Sequence, residues 1–80
     1  MTEKVYNGHA MVYFNEQVPT RTIMEKVEVI RAMEMRVTEF FEGFGILVVE
    51  HVAGGPLTDG QLVTLRALPG VVTVERSVKI

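Results

Sequence analysis

Two hydrophobic periods alternate along the chain. "HAMVYFNE" (9–16) is rich in β-branched and aromatic residues and reads as a first strand, and "QVPT" breaks it. From Thr20 to about Met35 the period changes: Ile23, Val27 and Ile30 recur at helical spacing, with Met24 and Met33 widening the stripe. Thr22 and Glu25 have capping-box spacing, and Thr20 after Pro19 is a competing helix start. "RVTEFFEG" (36–43) and "FGILVVEHV" (44–52) read as two strands joined by a hairpin turn at "EGFG", where Gly43 and Gly45 can take positive φ. After the loop "AGGP" (53–56), Thr58 is a natural N-cap with Gln61 three residues on, and Leu57 and Leu62 are spaced as a hydrophobic staple. Leu62, Leu65 and Leu68 then share a helix face, Pro69-Gly70 ends the helix, and "VVTVERSVKI" (71–80) is the last strand.

The order β-α-β-β-α-β predicts an α+β fold, a ferredoxin-like sandwich with a four-stranded antiparallel sheet and two helices on one face. Residues 1–8, polar and containing Asn7-Gly8, are expected as a flexible N-terminal tail, and 9–80 as a single ferredoxin-like domain. In this topology the first and third strands are central. They are the two with apolar residues on both faces: Ala10, Val12 and Phe14 against Met11 and Tyr13, and Ile46 and Val48 against Leu47 and Val49. The alternation leaves open which set faces the helices. Either way the uncovered face carries an apolar patch, the usual mark of a protein–protein surface, and a homodimer through that face is one use of it.

Composition narrows the function. Eighty residues, 48% hydrophobic and 22% charged, suit one small globular domain. Dispersed charge with a net of −2 gives no basic footprint for nucleic acid. No apolar run reaches the roughly 18 residues of a membrane span, and "MTEKVYNGHA" lacks the order of a signal peptide, so the chain as given is expected to be soluble. No cysteine is present, which excludes disulfides, thiol catalysis and cysteine-based zinc sites.

Nor do the residues spell out an enzyme or a cofactor site. The one serine, Ser77, and the two histidines, His9 and His51, fall on different strands with no motif around them. His9 and His51 become neighbours if the first and third strands pair, yet Glu50 and His51 point to opposite faces, so no simple metal site converges. "GFG" and "AGGP" lack the context of a phosphate loop, and Asp59 opposes an anion near residues 58–61. Met24, Met33 and Met35 are expected mainly in the core, and Glu25, Glu28, Glu34, Glu39, Lys26, Arg31 and Arg36 as a solvated face.

The strand "MVYFNE", the helix, the hairpin "RVTEFFEGFGILVVEHV" and above all "LTDGQLVTLRALPGVVTVERSVKI" resemble the propeptide domains of subtilisin-type serine proteases, the peptidase inhibitor I9 family. Val71, Val74 and Glu75 match that family's closing Val-x-x-Val-Glu strand. The resemblance implies a protein-binding module, not an enzyme, that lays its open sheet face on a subtilisin-type protease. Glu75 would cap helix N-termini of the partner, where unpaired N–H groups attract a carboxylate. Ser77 stands where the family commonly has a second acid, and Val78, Lys79 and Ile80 would begin the tail that enters the cleft. Family members usually continue several residues further, so the resemblance implies a shortened inhibitor. The segment "LRALPGVVTVE" also resembles the closing segment of ACT-type regulatory domains, which pair their sheets into dimers and bind small ligands. "NEQVPT" lacks the Gly or Asp that such a domain normally uses for ligand contact.

Overall fold

The structure, a computed structural model, describes residues 5–79. The chain runs β1 (Val5–Phe14), α1 (Thr20–Arg31), β2 (Met35–Phe41), a 3-10 turn (Glu42–Phe44), β3 (Ile46–His51), α2 (Asp59–Ala67) and β4 (Val71–Lys79). The strands form one antiparallel sheet in the order β2-β3-β1-β4, and with the two helices this is an α+β ferredoxin-like sandwich. β1 and β3 are central.

Register decides which side chains meet. Val12 stands opposite Leu47 on one side and Val74 on the other. Alternation then sends Ala10, Val12, Phe14, Leu47, Val49 and Val74 to one face, where they are buried with Ile23 and Ile30 of α1 and Leu62 and Leu65 of α2. Each large side chain removed from water there contributes roughly 1.5–3 kcal/mol. The core holds no buried polar residue among those described.

Several boundaries differ from the sequence expectation, each for a local reason. β1 begins at Val5, so residues 5–8 are strand where a tail was expected: Val5 lies opposite Lys79 and Tyr6 opposite Val78. Asn7-Gly8 does not end the strand. From Tyr6 to Ala10 is four residues while their partners Val78 and Arg76 are two apart, so the permissive Asn-Gly pair falls in a bulge. At its other end β1 stops at Phe14, not Glu16. The Asn15 Oδ1 accepts the Gln17 N–H at 2.9 Å, and the Asn15 N–H donates to the Gly70 carbonyl at 2.7 Å, so the chain turns there.

Helix α1 starts at Thr20 with Pro19 as N-cap and no side-chain cap, so the Thr22–Glu25 box does not form. It ends at Arg31, four residues short of Met35. Ala32 caps it, Glu34 takes φ 62, and Met35 enters β2 fully buried. The helical spacing ran on because Met33 and Met35 reach the same core from a turn and a strand. Met24 is exposed, contrary to its expected place in the stripe. Between β2 and β3 a 3-10 turn replaces the tight hairpin, and of Gly43 and Gly45 only Gly45 takes positive φ, at 66.

Helix α2 forms as its cap signals dictate. Thr58 Oγ1 accepts the Gln61 N–H at 3.1 Å, and Gln61 Oε1 accepts the Thr58 N–H at 2.9 Å. The Gln61 side-chain N–H also donates to the Met33 carbonyl at 3.0 Å, tying α2 to the turn after α1. Leu57 and Leu62 are both buried, as a staple requires.

Candidate functional site: the open face of the sheet

With the core on one side, the pleat turns the alternate residues of every strand to the other. On β1 these are His9, Met11 and Tyr13, and on β3 Glu50, Val48 and Ile46, paired in that order across the two strands. β2 places Arg36 beside Glu50, Glu39 beside Val48 and Phe41 beside Ile46. The register shift between Val37 and Glu39 keeps Glu39 and Phe41 on this face, with Thr38 in the bulge donating to the Val48 carbonyl at 3.3 Å. β4 adds Glu75 opposite Met11 and Thr73 opposite Tyr13.

These residues form an ordered pattern. Met11, Val48, Tyr13, Ile46 and Phe41 make a contiguous apolar block; the four on the central strands are only partly buried and Phe41 is exposed. At one end a polar row crosses three strands. The Arg36 guanidinium donates through Nε to Glu50 Oε1, and His9 Nε2 lies 3.1 Å from Glu50 Oε2. Glu50 thus holds a neighbour on each side, and the expected separation of His51 from this pair holds: His51 accepts the Ala53 N–H at 3.0 Å through Nδ1, closing the turn after β3. No group of three His, Asp or Glu among the described residues is placed to hold a metal.

Glu75 is exposed on this face, at the β4 edge of the apolar block. The Tyr13 hydroxyl donates to Met11 Sδ at 3.8 Å, along the same face. Polar interaction with the Glu75 carboxylate first, then partial desolvation and the nearby negative charge, raises the Tyr13 pKa above its ordinary 10.0. Ser77, Val78 and Lys79 continue β4, the last two opposite Tyr6 and Val5, so the backbone of this segment is engaged in the sheet. Ile80 lies outside the described residues.

The sequence pointed to Glu75 and to the apolar character of the face. It did not point to the Arg36–Glu50–His9 row, because Arg36 and Glu50 are 14 residues apart and meet only through the bulged β2–β3 register. Nor did it single out Glu39 and Phe41, which the same bulge turns to this side.

A second concavity lies at the end of the sheet, between the β1–α1 connection and the 3-10 turn. It has a volume of about 410 Å³ and is lined by Glu16, Val18, Thr20, Ile23, Glu42 and Phe44 among others. No helix among the described residues is long and apolar enough to cross a membrane.

Comparison with protein-family models, with curated proteins and with solved structures yields no match.

Proposed function

We propose that this chain is a protein-binding module, not an enzyme, that receives its partner on the open face of the sheet and the C-terminal part of β4. The observation carrying this reading is the block of Met11, Tyr13, Phe41, Ile46 and Val48, five apolar side chains adjacent on a sheet face that no second layer covers among the described residues. Contiguous apolar area of this kind costs solubility unless a partner uses it. A polar row closes one end and carboxylates stand at both edges, the arrangement of an apolar interface centre with a polar rim.

The resemblance to subtilisin-type propeptides gives the partner its most specific form. In that form Glu75 caps a helix N-terminus of a subtilisin-type protease, and Ser77, Val78, Lys79 and Ile80 lead toward its cleft. Titrating a subtilisin with the chain at micromolar concentrations tests it: inhibition is expected, and Glu75→Ala should weaken binding by about 1–3 kcal/mol, the scale of a hydrogen bond to a charged group. A lack of inhibition, even with a short C-terminal extension, would remove the protease from the proposal.

One observation favours an ACT-like regulatory domain, the concavity beside the β1–α1 connection, which has room for a small ligand. In that reading the chain pairs through its sheet and binds a metabolite at this end. Molar mass in solution separates the two, a dimer supporting the regulatory domain and a monomer the protease-binding module.

A further inference from the structure

Resting on the reading of the open face as a protein-binding surface, we infer that its partner presents a basic-flanked amphipathic helix, and that the face is not built for a second copy of this chain. Two carboxylates decide the question. Glu39 on β2 and Glu75 on β4 stand at the same level of the sheet, beside Val48 and Met11 respectively. The one arginine of this face within the three paired rows, Arg36, is engaged by Glu50, so Glu39 and Glu75 remain as negative charge on either side of the apolar block.

Face-to-face pairing of two copies brings these charges together. A two-fold axis along the strands sets β2 over the partner's β4, and Glu39 over Glu75. An axis across the strands sets β2 over β2 and β4 over β4. Either way four carboxylates enter one desolvated interface with no unengaged lysine or arginine in the three paired rows, and like charges there cost affinity.

The spacing suits a different occupant. β2 and β4 are three strand separations apart, about 14 Å. A helix with its side chains is about 10–12 Å across, so one helix lying along the strands fits between the two carboxylates. Its apolar stripe would rest on Met11, Val48, Tyr13 and Ile46, with Phe41 at one edge. Lysine or arginine on its two flanks would meet Glu39 and Glu75. The shared rows from His9 to Tyr13 run about 14 Å, matched by a helix of about nine residues.

The test uses the whole chain and two synthetic 14-residue helical peptides with the same leucine stripe, one flanked by lysines and one by glutamates. Amide shifts of the isotope-labelled chain map the binding site and give both affinities. The lysine peptide is expected to perturb Met11, Tyr13, Ile46 and Val48 and to bind about tenfold more tightly, the sum of a few exposed ion pairs. An E39Q/E75Q chain, its fold checked by the same spectra, should bring the two affinities together. Equal binding of both peptides to the open face would overturn the inference and leave the protein-binding reading standing. So would a lysine preference that survives E39Q/E75Q. Perturbation confined to the helices, or a dimer whose formation these shifts map to the open face, overturns the inference too; the protease titration then decides separately whether the face binds a folded protein.

Discussion

At the scale of the residue, the clearest constraints are steric and electrostatic. Gly70 takes φ 89, and a Cβ there would stand 2.8 Å from Val18 Cγ2. Gly70→Ala should therefore destabilise the fold by about 1–3 kcal/mol in urea denaturation, combining backbone strain with the clash. Adding Val18→Ala should recover the steric part alone, so recovery of nothing would assign the whole cost to the backbone. Tyr13 offers a second check. In a Tyr6→Phe background, ultraviolet titration should place the Tyr13 midpoint above the ordinary value, and Glu75→Gln should bring it back toward that value. Because the folded pKa is raised, the neutral phenol is the favoured form. Its contribution to stability is complete below pH 10 and is lost as pH rises through the folded value.

At the scale of the element, α2 is specified by its own sequence and α1 by its surroundings. Thr58→Ala removes one capping bond and should cost about 1 kcal/mol. Gln61→Ala removes the reciprocal bond and also the link to the Met33 carbonyl, so it should cost more than Thr58→Ala in the same assay. Helix α1 has no side-chain cap, and its buried residues are Ile23 and Ile30. Its end could not be read from spacing because the core beyond Arg31 is filled from a turn and a strand. The hairpin followed the same rule: the glycines of "EGFG" announced a reversal, while its length and the bulge before it depended on packing β2 against β3.

At the scale of the whole molecule, the two faces of one sheet have different duties. Leu47→Ala or Leu65→Ala, on the helix side, should cost about 2–5 kcal/mol because the buried site cannot collapse fully. Ile46→Thr or Val48→Thr, one residue away on the open side, should cost much less in the same denaturation while weakening partner binding. A large loss of stability from these open-face changes would mean that something other than a partner explains the apolar block. The extents of 44 × 23 × 19 Å follow from the sheet as well. Among the described residues β1 pairs with β3 from His9 to Tyr13, and the strand ends beyond the bulge pair with each other alone. Amides of residues 5–8 should therefore exchange faster than those of residues 10–13, a difference that hydrogen exchange measures directly.

The sequence by itself determined the element order, the topology, the central strands and the cap of α2. These follow from period, turn chemistry and local hydrogen bonds, which act over a few residues. It also indicated that one sheet face would be apolar and open. Only the tertiary structure decided that Ala10, Val12, Phe14, Leu47 and Val49 face the helices and Met11, Tyr13, Ile46 and Val48 do not. Both sets of side chains are hydrophobic and alternate with the same period of two, so the choice rests on register with the outer strands and on which set fills the space beneath the helices. The Arg36–Glu50–His9 row and the flanking pair Glu39 and Glu75 have the same origin. Residues far apart in the chain become neighbours through strand pairing and one bulge, and no local pattern records where that bulge falls.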